Sequence, residues 1–297
     1  MHPRLTLATL MLATLTLAPS PPVRAAKAYD NCTGFIDTLP ATIATAGTWC
    51  LRKDLGTAMA SGNAITIATN NVTLDCNDFK LGGLAAGPGT NANGIYANDR
   101  LNATVRHCKV RGFRTGIRLE GDGDGHVVED NRLDSNTWIG IQVNGDGSVV
   151  RRNEVRDTIG TATYSIGIYV FDNVDVLDNL VDLVVSIPAD TDGQAYGIYL
   201  VSSNGGRIAG NNVRRLLSKS GGTVTAIKTA TSWAHVRDNT LTGNLGSANV
   251  SRGVWCDDDG NGSGVYKVIV QDNSFLGFID EAFLNCVNGG GNSVASQ

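Results

Sequence analysis

The chain has 297 residues and carries 24 Lys and Arg against 28 Asp and Glu, a formal net charge of −4 at pH 7. A mildly acidic chain with no basic block lacks the electrostatic footprint of a nucleic-acid binder, so no nucleic-acid partner is expected. The modest acidity favours solubility.

Residues 1–25 read as a cleavable signal peptide. Arg4 is the basic start, Leu5 to Ala18 is an apolar stretch too short to span a bilayer, and Val23-Arg24-Ala25 is a small-residue cleavage site, with Ala26 as an alternative. Cleavage removes two Arg and no acid, so the charge becomes about −6. No Cys follows the site to carry a lipid anchor, and no later apolar run is long enough to cross a membrane. The expected location is secreted or periplasmic, with no membrane span.

Residues 26–62 read as an N-terminal cap, in which Cys32 and Cys50 bracket Ile36, Leu39, Pro40 and Ile43. Over 63–297 one pattern recurs: apolar, two free positions, Asn, one free position, apolar. It stands in Val236-Arg237-Asp238-Asn239-Thr240-Leu241 and again around Asn131, Asn153, Asn179, Asn211 and Asn273. Cys108 takes the Asn place between Val105 and Val110, and Leu74 to Phe79 fits with Asn77. Copies follow one another at about 22 to 33 residues, a period that marks a solenoid.

A second marker, Gly-Ile-x-apolar, appears at Gly94, Gly116, Gly140, Gly167 and Gly197, then as Ala226-Ile227 and Gly253-Val254. Each coil therefore carries short β-branched strands bounded by Gly, Asn and Asp, with no sustained helical period between them. The leucine-rich repeat is the nearest rival, but it requires several Leu before the Asn and a helical return. The expected fold is all-β: a single-domain parallel β-helix behind an N-terminal cap. Its repeated Asn stacks coil on coil, the amide satisfying polar groups at a buried bend. Eight or so coils at about 4.8 Å each make a rod on the order of 40 Å long.

The chain resembles the secreted right-handed parallel β-helix proteins of the pectin-lyase-like superfamily. The likeness rests on the Pro40 to Asp54 entry, the Val72-Thr73-Leu74-Asp75-Cys76-Asn77 run and the two alternating markers, and it covers nearly the whole mature chain. It implies a right-handed winding and a polysaccharide partner. It does not imply one activity, because the superfamily holds lyases, hydrolases, epimerases, esterases and proteins without known chemistry. The chain has no Arg-x-Pro-x-x-Arg of the pectate-lyase kind and no Asp-Pro-His-Glu of the mannuronan-epimerase kind. It also lacks the Asn-Thr-Asp, Asp-Asp and Gly-His-Gly set of polygalacturonases.

All six Cys lie in the mature part, an even count that in an oxidising compartment implies disulfides. Fifteen pairings exist in principle. The repeat favours Cys32–Cys50 in the cap, Cys76–Cys108 across the first coils and Cys256–Cys286, one coil apart at the far end.

In Gly-Ile-x-apolar the Ile and the last residue point inward, so x points out. Coil by coil the outward column reads Tyr96, Arg118, Gln142, Tyr169, Tyr199, Lys228 and Trp255. Rings that stack on sugar C–H faces, with cations that hold carboxylates, suit a polysaccharide. From Asp157 onward the coils lengthen at 157–165, 186–195, 217–224 and 243–251. These are expected as loops that leave the solenoid on one side and wall the column.

For β-elimination, Lys228, Tyr169 or Tyr199 is the candidate base and Arg118 or Gln142 the carboxylate neutraliser. Asp172, Asp190 and Asp192 lie near enough in sequence to orient a base or hold a cation. A hydrolase needs two carboxyl groups roughly 5 to 9 Å apart. The next outward column is Asn98, Glu120, Asn144, Phe171, Val201, Ala230 and Asp257, and its two acids stand six coils apart, so a hydrolase would need a carboxylate from a loop. Asp257-x-Asp259-x-Asn261-Gly262 copies half of a calcium loop, and Glu120-x-Asp122-x-Asp124-Gly125 is similar. Calcium is the one cofactor in view, and Asp-Gly turns are the simpler account. His107, His126 and His235 fall at different places in the repeat and are expected at solvent-facing positions. The competing function is a non-catalytic adhesion, scaffold or envelope protein.

Overall fold

The computed structural model describes residues 29, 31–188, 192–202, 205–218, 221–231, 233–243, 250–257, 267–278 and 281–295. The expected signal peptide lies outside them. Three long parallel sheets, of 11, 10 and 10 strands among the described residues, wind around one core. Each coil visits the sheets in the same order, as in Asn93–Asn98 of sheet B, Thr104–Arg106 of sheet A and Lys109–Arg111 of sheet C. Thr115–Glu120 then returns to sheet B beside Asn93–Asn98. The architecture is the expected parallel β-helix. Strands Gly34–Ile36, Ala41–Ile43, Gly47–Leu51 and Leu55–Gly56, in the segment read as a cap, already pair in parallel with later strands.

The inward positions form continuous files. Ile65, Ile95, Ile117, Ile141, Ile168, Ile198, Ile227 and Val254 stand in register in sheet B, and each is fully buried. Stacking equal β-branched side chains in register satisfies both strand propensity and burial at every coil.

The repeated Asn behaves as a hydrogen-bonded spine. Asn131, Asn153, Asn179, Asn211 and Asn239 each donate from Nδ2 to Oδ1 of the next Asn at 2.9–3.0 Å. Each backbone N–H donates to the same oxygen. The amide's second hydrogen reaches the carbonyl of Val105, Val128, Val150, Val176 and Ile208 in turn. Asn273 and Asn292 continue the file. At its start Cys108 donates its N–H to Asn131 Oδ1 and is bonded to Cys76. Asn77 does not join the spine, because Cys76 holds the position next to Cys108; its amide donates instead to the Leu51 carbonyl.

Three disulfides join Cys32 to Cys50, Cys76 to Cys108 and Cys256 to Cys286. The first and last bridge the two ends of the solenoid, where a coil lacks one neighbour.

Two expectations are corrected. His126 is not solvent-facing: it is 1% exposed, accepting the Ala103 N–H at Nδ1, while its own N–H donates to Ser148 Oγ. It stands in a buried corner file. Where they are described, the first three inserted segments are also not simply loops; residues 244–249 of the fourth lie outside the described residues. Sheet C strands lengthen from three residues in Arg132–Asp134 to seven in Glu154–Gly160, Leu180–Ser186 and Asn212–Ser218. Sheet B strands lengthen from six residues in Thr115–Glu120 to eight or nine in Tyr164–Phe171, Gln194–Ser202 and Thr223–Thr231. Consecutive insertions stack in register, so their backbone groups pair with one another. Val184, Leu216, Ala195 and Val224 are buried between the two lengthened sheets, which extend the core as a two-layer fin.

Asp182 anchors this region on the sheet C side. It is 1% exposed and takes ion pairs from Arg156, Arg214 and Arg215. Burial pushes its carboxyl up, but hydrogen bonds from Arg215 and Arg214 outweigh that and hold it below its ordinary 3.8. A depressed carboxylate contributes stability that is full above the unfolded value and is lost as pH falls through the folded one. Asp182→Asn is expected to cost about 1–3 kcal/mol at neutral pH, since the arginines are partly solvated. It should also flatten the loss of stability below pH 3.8. Urea unfolding of both proteins across that range checks the prediction; parallel curves would refute it.

Candidate functional site

The site is the outer face of sheet B, and glycine sets its shape. A Cβ at Gly167 would lie 2.5 Å from Val181 Cγ1 and 2.7 Å from the Gly197 carbonyl oxygen; at Gly197 it would lie 2.3 Å from Val213 Cγ1 and 2.5 Å from the Ala226 oxygen. At these two coils the turn of sheet B over sheet C leaves no room for a Cβ, whereas one coil on, Ala226 takes the same place. Tyr196 and Tyr199 straddle Gly197, yet their ring centroids are 5.3 Å apart. The outer face is therefore concave along the glycine column. In the concavity Ile139, Ile166 and Tyr196 form a small apolar cluster separate from the solenoid core, covered by Trp138, Tyr169 and Tyr199.

The predicted column stands in unbroken register. Tyr96, Arg118, Gln142, Tyr169, Tyr199, Lys228 and Trp255 are successive partners in sheet B. The Tyr169 and Tyr199 rings stack 5.1 Å apart at 23°. Lys228 is 8% exposed, with Nζ 5.0 Å from the Tyr199 centroid, 5.4 Å from Tyr196 and 4.0 Å from Trp255. Asp257 Oδ2 is 3.2 Å from that nitrogen. Arg252 covers the Trp255 ring at 4.8 Å. At the other end Arg114 lies 4.3 Å over Trp138, which packs against Tyr164. The result is a continuous file of rings and cations.

Burial and its neighbour Tyr199 push the Tyr169 hydroxyl up to about 12, and burial with the Asp257 charge raises that of Tyr199. Burial likewise raises Tyr196. These phenols stay protonated at neutral pH, so they are donors and stacking surfaces before they are bases. Arg118 is held by Glu120 at 2.6 Å and lies beside Tyr96, whose hydroxyl also donates to Glu120. Arg118 and Lys228 stand four coils apart, roughly 19 Å. One sugar cannot be neutralised by the first and deprotonated by the second.

The remaining candidates disperse. Asp172 follows strand Tyr164–Phe171 and Asp192 precedes strand Gln194–Ser202, so they sit at opposite ends of neighbouring strands. Burial and the nearby Asp146 and Asp124 raise the Asp172 carboxyl. Asp190, Asp259 and Asn261 lie outside the described residues. Among the described residues no three His, Cys, Asp or Glu side chains converge to hold a metal ion. Asp99 and Asp124 instead accept backbone N–H groups of Asp122 and Asp146.

Sequence reasoning missed Tyr196, Trp138, Tyr164 and Arg252. Tyr196 and Arg252 lie just before the Gly position, in register with Ile139 and Ile166. The apolar character of 139, 166 and 196 was a visible signal, passed over because the outward column was taken only from the x position after each Gly-Ile.

Three parallel sheets wound around one core, with a file of rings on the outer face of one of them, define a parallel β-helix. The model of the right-handed β-helix region matches residues 56–213 and 93–294, so the chain belongs to the right-handed β-helix family. Solved structures share the fold at low identity. The enzymatically active domain of tailspike protein 2 of bacteriophage CBA120 is 15% identical with a TM-score of 0.59, covering 90% of this chain and 41% of its own. Pectate lyase Pel9A is 12% identical with a TM-score of 0.52, covering 88% and 69%. The A-module of the Azotobacter vinelandii mannuronan C-5 epimerase AlgE6 is 12% identical with a TM-score of 0.50, covering 90% and 92%. The chain thus spans about two-fifths of the tailspike domain. No curated protein sequence matches it.

Proposed function

We propose that the concave outer face of sheet B binds an extracellular polysaccharide, acidic in character, and that the protein is exported to meet it. The observation that carries this reading is the unbroken file Tyr169–Tyr199–Lys228–Trp255, in which rings in register flank a desolvated cation. The rise of about 4.8 Å per coil is close to the length of one sugar unit, so successive rungs meet successive residues of a chain. Lys228 and Arg252, both close to the Trp255 ring, suit a carboxylated sugar. Three disulfides, and among the described residues no helix long and apolar enough to cross a membrane, are consistent with export through the 1–25 leader.

The raised tyrosines, the Lys228–Asp257 pair and the missing catalytic motifs favour binding over turnover. A recognition or adhesion role is therefore the first reading, with β-elimination centred on Lys228 the second. Hydrolysis would need a second carboxylate beside Asp257. The test is a panel of acidic and neutral polysaccharides, followed by binding, by the ultraviolet absorbance of unsaturated uronates and by reducing ends. Tyr199→Ala and Trp255→Ala are each expected to weaken binding by about three- to tenfold, the worth of a stacked ring. Unchanged binding in both variants, or no binding across the panel, would remove the proposal; new ultraviolet absorbance would move the conclusion to a lyase.

A further inference from the structure

A second exposed ring lies on a different face. Trp233 opens the sheet A strand Trp233–Arg237 and is 52% exposed, although its backbone is pinned by two hydrogen bonds with Thr231 Oγ1. The strand alternates strictly: Ala234 and Val236 are buried in the core, while Trp233, His235 and Arg237 face out. The next strand, Lys267–Gln271, pairs Lys267 with Trp233 and Ile269 with His235. Lys267 Nζ lies 4.1 Å over the Trp233 ring. On the preceding coil Arg207 is the partner of His235, which places Gly205 alongside Trp233. With glycine there, position 205 puts no side chain over that side of the indole. The outcome is a depression of about 500 Å³ lined by Trp233, His235, Lys267, Ile269 and Val287 over the Gly205–Gly206 backbone.

The charges around it are unbalanced. Arg207 is paired with Asp175 and Arg237 with Asp238, whereas Lys267 has no carboxylate partner among the described residues. The indole and the ammonium are both open to solvent and stand together. The flat ring matches the C–H face of a pyranose, and the cation matches a carboxylate on that ring.

We propose that Trp233 and Lys267 form a second glycan site, on sheet A, that takes a single uronic-acid residue. Trp233 stacks on the sugar ring, Lys267 pairs with its carboxylate, and His235 borders the ring. The site is independent of sheet B. It would let one polymer be held at two faces of the solenoid, where linked contacts raise overall affinity beyond either alone.

The test uses the mature protein and a galacturonate hexamer, titrated by calorimetry alongside a neutral glucan hexamer. The unmodified protein is expected to bind the acidic hexamer at two sites. Trp233→Ala should abolish one of them, leaving the other at unchanged affinity. Lys267→Gln should weaken the same site about threefold or more and remove most of its salt dependence. Tyr199→Ala should leave this site intact, so failure of the sheet B reading and failure of this one are separable. Both side chains are exposed, so the variants keep the core, and their unfolding curves should overlay that of the parent. Four results each overturn the proposal: no binding of the acidic hexamer, unchanged stoichiometry in Trp233→Ala, unchanged affinity and salt dependence in Lys267→Gln, or equal binding of the neutral hexamer at this site.

Discussion

Replacing Asn179 with Leu is expected to destabilise the protein by about 3–5 kcal/mol, more than any substitution of an exposed side chain on the outer face of sheet B. Asn179 Oδ1 accepts both the backbone N–H and the side-chain Nδ2 of Asn153, at 2.9 and 3.0 Å. Its own amide donates to the Val150 carbonyl and to Asn211 Oδ1. A leucine strips the Asn153 N–H and the Val150 carbonyl of their side-chain partner at a buried corner, and each orphan there costs about 1–3 kcal/mol, while Asn211 Oδ1 keeps the backbone N–H of residue 179. The terms do not add fully, because the corner can open to water. The loss should appear as a lower urea midpoint. Asn292→Ala, at the half-exposed end of the same file, should cost less than about 1 kcal/mol. Equal losses at the two positions would show that the spine is not a cooperative network.

Gly167→Ala is expected to destabilise by about 2–4 kcal/mol and to weaken glycan binding at the same time. The new Cβ meets Val181 Cγ1 at 2.5 Å and the Gly197 carbonyl at 2.7 Å. The first neighbour is a side chain and can be removed; the second is backbone and belongs to the next coil. Gly167→Ala with Val181→Ala should therefore recover only part of the loss, since the carbonyl contact remains and the valine leaves a cavity. Binding suffers because Tyr169 lies two residues on, and displacing it breaks the stack with Tyr199. Full recovery of stability in the double variant would mean that the sheet can shift at the glycine column and that the bend is not set there.

Much of this was legible before any coordinates. The Asn and Gly-Ile markers place the coils from Gly94 to Asn273, and the outward column from Tyr96 to Trp255 is in register as the strand period requires. One-dimensional periodicity is enough for this because each coil contacts only its neighbours, so position in the repeat is position in space. The spine at Asn131 to Asn273 and the inward isoleucines follow from the same rule.

Where the repeat changes length, that rule stops working. A lengthened coil gives no local sign of whether its extra residues become a loop or a strand. The decision rests with the neighbouring coils: residues 158–160 are strand because 184–186 lie beside them, and 184–186 in turn have 216–218 beside them. The same holds for Lys228, whose partner Asp257 comes from the next coil, and for Tyr196, brought onto Tyr199 by the bend at Gly197. His126 is read as exposed by its polarity and is buried by its place in a corner file. Sequence alone determined the period, the inward and outward faces and the spine, which depend on alternation along one strand. Only the tertiary structure decided the fin, the concavity and the cation cage, because each depends on what an adjacent coil places opposite it.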